Sequence, residues 1–167
     1  EAGLFMRAPR PEIATWNAEG KALAAAIIEV GGDLALDPSR ESELRRSLRR
    51  VNELSAQLND LVYHDTQKLI RSGKMVGLVG GDHSTPFGSI RAHAESFQDL
   101  GVLHFDAHSD TRIAYEGFED SHASIMYNVL TRIPQVKKLV QVGIRDVCEQ
   151  EVEFCQSQGS RVRVFWD

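Results

Sequence analysis

From Gly73 onward the chain alternates short apolar runs with helix-like stretches, and this alternation limits the possible folds more than any other feature. Runs near 75–79, 101–105, 138–142 and 162–166 read as strands, and segments near 86–97, 121–132 and 147–158 read as helices between them. Such alternation points to a parallel sheet with helices on both faces. Gly143 ends the third run and Gly159 the last helix.

The part before Gly73 is helical in pattern. Asn17 to about Val30 carries Ala22, Leu23, Ala26, Ile27 and Val30 at helical spacing, and Gly31-Gly32 ends it. Asp37-Pro38-Ser39 opens a long helix to about Arg71, with an amphipathic stripe of Leu44, Leu48, Val51, Leu54, Leu58 and Leu61. The arginines on its other faces read as a solvated face or an oligomer contact, because Glu41 and Glu43 are spaced to pair with Arg45 and Arg46. With 167 residues and 42% hydrophobic content, the chain can bury one domain core, and residues 1–167 are expected to be part of a single domain. It has no apolar run long enough for a membrane span. Its net charge of −5 argues against nucleic acid as a partner. No secretory leader is evident, and Cys148 and Cys155 form no Cys-x-x-Cys pattern. A cytoplasmic setting with reduced thiols is expected.

Chemistry concentrates where the runs end. Val102 to Phe105 leads straight into Asp106-Ala107-His108-Ser109-Asp110. If the backbone stays extended, Asp106, His108 and Asp110 share one side, with Cα atoms about 6.6 Å apart. They could hold a metal ion or simply form a polar turn. Met75 to Val79 leads into Gly80-Gly81-Asp82-His83-Ser84-Thr85-Pro86, a strand-to-helix turn in which Thr85 can cap and Pro86 fits the first helical turn. In open α/β sheets ligands bind beyond the carboxyl ends of strands, so neighbouring strands would bring His83 to Asp106 and Asp110. Asp82 reads as a tie for the glycine turn. His122, twelve positions after Asp110, opens a helix; it is either a surface residue or a proton-transfer group suited to neutral pH. His104 reads as a core histidine or a supporting neighbour of Asp106, His64 and His93 as structural, and Arg145 as a packing or salt-bridge residue.

Taken in order, Gly80-Gly81-Asp82-His83-Ser84, Phe105-Asp106-Ala107-His108-Ser109-Asp110 and Ser121-His122-Ala123-Ser124 resemble the ureohydrolase family of arginases, agmatinases and related guanidino hydrolases. The resemblance runs from roughly Val51 to Val164. It implies a three-layer arginase-like α/β fold and a small guanidino substrate cleaved at a pair of Mn²⁺ ions. His83, Asp106, His108 and Asp110 would be metal ligands, with Asp106 bridging. Asp110 would also take part in catalysis by accepting a hydrogen bond from the attacking oxygen, and His122 would deliver a proton to the leaving amine. The stretch Asp110-Thr111-Arg112…Tyr115-Glu116-Gly117…Ser121-His122 is closer to agmatinases, since arginases carry asparagine where this chain has Arg112. Agmatine hydrolysis to putrescine and urea by a homo-oligomer is the resulting expectation. Arginase, guanidinobutyrase or formiminoglutamase activity, or a non-catalytic structural role, are the alternatives. A metallophosphoesterase is disfavoured because no Asn-His pair occurs. Family chains are longer, and their later half adds an Asp-x-Asp pair and an acidic guanidinium partner. This chain has neither, so it is expected to be an inactive piece of the whole.

Overall fold

The computed structural model describes Gly3, Leu4 and residues 6–167. They fall into two compact units, divided between Leu54 and Ser55.

In the first unit, helix α1 spans Pro11–Glu29, starting earlier than the apolar pattern because Pro11 occupies its first turn. It ends as expected: the amide of Gly32 donates to Ile27 O at 3.0 Å and that of Gly31 to Ile28 O at 2.9 Å, a Schellman closure. Helix α2, Glu41–Arg71, begins in this unit. Among the described residues of this unit, Ile27, Leu34, Leu44 and Leu54 are buried. The arginines are largely paired: Arg50 reaches Glu19 at 2.7 Å, and Arg45 reaches Glu41 at 2.5 Å. That agrees with a solvated helix face.

The second unit carries the rest of α2, then α3 (Pro86–Ser96), β1 (Leu100–Phe105), α4 (Ile125–Arg132), β2 (Val136–Ile144), α5 (Glu149–Ser157) and β3 (Val162–Trp166). The strands form one parallel sheet in the order β1-β2-β3, with Val102 opposite Leu139 and Leu139 opposite Val162. One face of the sheet packs on helices. Phe87 and Ala94 of α3, Met126 and Val129 of α4, and Cys155 of α5 close over Leu139 and Val162, joined by Leu100 and Val102. α3 meets α2 closely: a Cβ on Gly88 would lie 2.1 Å from Asn59 O. The α/β class and parallel sheet are as expected. Within the described residues, α3, α4 and α5 share the sheet face of Val102 and Leu139, whereas Leu103 and Phe105 on the opposite face are exposed.

Two local expectations need correcting. Residues 75–79 form no strand; Met75 and Val79 are almost fully exposed. A strand needs a ladder partner for its backbone, and β1 has none on that edge among the described residues. The helix expected over 121–132 instead begins as a 3₁₀ turn, His122–Ser124, and becomes α-helical only at Ile125. Among the described residues no helix is long and apolar enough to cross a membrane.

Candidate metal centre

β1 stops at Phe105, and the next residues are pinned to the end of β2. The Asp106 amide donates to Val142 O at 3.2 Å, and the Ala107 carbonyl accepts from the amides of Arg145 (2.8 Å) and Asp146 (2.9 Å). The chain then turns. Asp106 Oδ1 accepts from the His108 amide at 2.9 Å, and Asp110 has a φ of +55°, a left-handed conformation that aspartate tolerates better than most residues. The Asp110 carbonyl receives the amides of Met126 (2.9 Å) and Tyr127 (3.3 Å), seating the start of α4 on the motif.

This turn breaks the extended alternation assumed for Asp106, His108 and Asp110. Asp110 is buried and swings its carboxylate to His83, whose Nδ1 is 2.5 Å from Asp110 Oδ2 and 3.4 Å from Asp106 Oδ2. His108 stands at the outer side of Asp106, with its Nδ1 3.2 Å from Asp106 Oδ1 and most of its side chain exposed. Among the described residues, the ligand atoms of His83, His104, Asp106 and Asp110 all lie within 4.8 Å of one another. His83, Asp106 and Asp110 are thus brought together, His108 touches the group through Asp106 alone, and His104 enters it. His83 arrives from a turn and not from a strand end.

That turn is built by Asp82, whose Oδ1 accepts from the amide (2.9 Å) and hydroxyl (2.5 Å) of Ser84. Asp82 therefore ties the loop, as read from the sequence. Thr85 does not cap α3; its hydroxyl donates back to Asp82 O at 3.0 Å. Gly81 has a φ of +63°, and a Cβ there would lie 2.3 Å from Thr85 Oγ1, so any other residue would be strained and would displace the Thr85 hydroxyl.

The electrostatics fit a cation. The hydrogen bond to Asp110 raises the His83 pKa above its ordinary value despite burial, and the charges of Asp110, Asp106 and Asp82 add to this. Burial works to raise the Asp106 pKa, yet the His108 amide and the imidazoles of His104 and His83 hold it below the usual carboxylate value. Burial pushes His104 down. Two carboxylates and imidazoles without thiolate are a donor set for hard or borderline divalent ions. A divalent ion held here would compete with protonation of His83.

His122 is exposed and lies outside this cluster, its ring 5.6 Å from that of Tyr115. Arg112 sits between elements: its Nε is 3.6 Å from the buried Glu151, and its guanidinium lies 5.4 Å from the Tyr115 ring centroid. Among the remaining candidates, His93 bonds to Ser89 O at 2.8 Å and Arg145 reaches Asp167 at 3.2 Å, both structural contacts. Cys148 and Cys155 are free thiols.

A buried polar network behind the cluster went unread in the sequence. It joins His104 to Gln141, Gln141 to Ser109, Ser109 to Thr111 and Thr111 to Glu151. The available signal was Gln141 itself, a polar residue inside the apolar run of β2.

Comparison with known proteins gives the same direction. N(1)-aminopropylagmatine ureohydrolase of Thermus thermophilus is 34% identical over 65% of this chain and 36% of that enzyme. Agmatinase of Bacillus subtilis is 28% identical over 64% of this chain, again covering 36% of its relative. The chain thus spans about a third of the length of these curated relatives. Among solved structures, arginase from Medicago truncatula matches 71% of the chain and 38% of its own, with a TM-score of 0.61 at 28% identity. Proclavaminate amidino hydrolase from Streptomyces clavuligerus matches 64% of the chain and 36% of its own, with a TM-score of 0.53 at 27% identity. The family model of the arginase family matches residues 6–166, and the chain belongs to that family.

Proposed function

We propose that this chain supplies part of a dinuclear Mn²⁺ centre that hydrolyses a guanidino compound, with agmatine as the first substrate and putrescine and urea as products. The observation that carries the reading is the convergence of His83, Asp106 and Asp110 beyond the end of β1 in an arginase-family chain. His83 and Asp110 would hold one ion, His108 the other, and Asp106 would lie between them, consistent with its contacts to His83 on one oxygen and His108 on the other. When bound, such a pair supplies a nucleophile at neutral pH and stabilises developing charge. The Asp110 backbone carbonyl is tied to the first amides of α4, and its carboxylate would orient the attacking water. His122, on the accessible first turn before α4, would deliver a proton to the departing amine, as an imidazole can near pH 7.

Agmatine is favoured over arginine by the state of Arg112. Its guanidinium rests beside Glu151 and Tyr115, a placement that favours packing there over holding a substrate carboxylate. The curated relatives bear agmatine-type names, in keeping with a decarboxylated substrate. Further segments would complete the centre, and a cytoplasmic homo-oligomer is the expected form of the whole protein. The test is an assay of the full-length polypeptide, loaded with Mn²⁺, against agmatine, arginine, guanidinobutyrate and formiminoglutamate. Faster release of urea from agmatine than of urea or formamide from the other compounds supports the reading; Mn²⁺ binding with no turnover of any of these would leave a non-catalytic family member.

A further inference from the structure

The buried ring of His104 lies inside the same 4.8 Å cluster as His83, Asp106 and Asp110. It could serve as one more metal ligand or as a hydrogen-bond donor, and its partners distinguish the two. Gln141 is completely buried, with its amide nitrogen 2.7 Å from the Ser109 carbonyl oxygen. A carbonyl can only accept, so it is the nitrogen of this amide that faces Ser109. The same nitrogen is 3.1 Å from His104 Nδ1. Two N–H groups cannot face each other in a hydrogen bond, so Nδ1 carries a lone pair. The amide oxygen is occupied as well, accepting from the Ser109 hydroxyl at 3.3 Å and the Cys155 thiol at 3.8 Å. Reversing the amide would break these contacts.

We infer that Gln141 fixes His104 as its Nε2–H tautomer, making His104 a positioning residue that donates to Asp106 and not a metal ligand. A neutral imidazole has one ring lone pair, and Gln141 uses it. The remaining N–H faces Asp106 Oδ2 at 3.3 Å, while the His108 amide holds Oδ1 at 2.9 Å. Each oxygen of Asp106 thus has a protein donor, which orients the carboxylate proposed to lie between the ions. Partners of this kind are worth about 10–100-fold in metal affinity. The geometry stands independently; its consequence for metal binding rests on the proposed function.

Two measurements on the full-length polypeptide test this. Long-range ¹H–¹⁵N spectra of ¹⁵N-histidine protein, metal-free and Zn²⁺-loaded, report the tautomer, with His104 assigned by its loss in His104→Gln. The Nε2–H form is expected in both states; an Nδ1–H ring, or an Nε2 shifted by coordination, overturns the inference. Calorimetric titration with Mn²⁺ then compares variants. His104→Gln keeps an N–H near the position of Nε2 and should bind close to wild type, whereas His104→Leu should lose about 10–100-fold. Equal, severe losses in both would identify a ligand and overturn the inference. Absence of Mn²⁺ binding by the wild type would sink the metal function, and the tautomer spectra would decide this inference alone.

Discussion

His83 Nδ1 and Asp110 Oδ2 are 2.5 Å apart, although the residues are 27 positions apart and neither lies in a strand or helix. Their hydrogen bond raises the His83 pKa, so protonation of His83 is coupled to stability of the metal-free fold. The folded His83 pKa is raised above 6.5, so the contribution is fully present below about pH 6.5 and fades as pH rises through the higher folded value. His104 shifts the opposite way, so the comparison must isolate His83. Metal-free wild type should exceed His83→Gln in urea midpoint at pH 5.5, and that margin should shrink as pH rises through the folded His83 value. A margin that grows with pH would contradict the assignment.

Metal occupancy should depend on Asp106 and His108 in the full-length protein. Asp106→Asn removes the charge proposed to sit between the ions, and His108→Ala removes an exposed donor at little cost to the core. Both are expected to lower Mn²⁺ content and urea release together, measured by elemental analysis and assay of the same preparation. Full Mn²⁺ content in His108→Ala would remove His108 from the ligand set.

His122 stands apart from the cluster, so its loss should separate catalysis from metal binding. His122→Asn is expected to reduce turnover by about 10²–10⁴-fold with Mn²⁺ retained. Wild-type turnover in this variant across pH 6–9 would exclude proton delivery by His122.

Arg112→Ala tests substrate selection. Because Arg112 is held by Glu151 and Tyr115, the substitution should leave the preference for agmatine over arginine intact and lower thermal stability slightly. A selective loss of activity on guanidino acids would show instead that Arg112 reaches a substrate carboxylate.

Packing at Gly88 is a test of the fold away from the site. An alanine Cβ would fall 2.1 Å from Asn59 O and 2.7 Å from Tyr63 N, so α3 must move off α2. Gly88→Ala should destabilise by about 1–3 kcal/mol, read from chemical denaturation. No change in the midpoint would mean that the two helices are less closely packed.

The sequence by itself determined the parallel α/β class, the helix boundary at Gly31-Gly32 and the motif residues proposed to carry the chemistry. Each follows from local causes: apolar periodicity, a Schellman stop and motifs short enough to read directly. Tertiary structure alone decided how those residues meet. Strand alternation put Asp106, His108 and Asp110 on one side, but pinning Ala107 to Arg145 and Asp146 turns the chain after Phe105. His108 is left outside while Asp110 swings in to His83. The apolar run at 75–79 looked like a strand, yet no described neighbour supplies a ladder. The role of His104 depends on Gln141, which lies 37 residues away and meets it only because β1 and β2 pair in register at those two positions. Periodicity records which face a residue prefers, whereas hydrogen-bond partners across strands are set only when the sheet has formed.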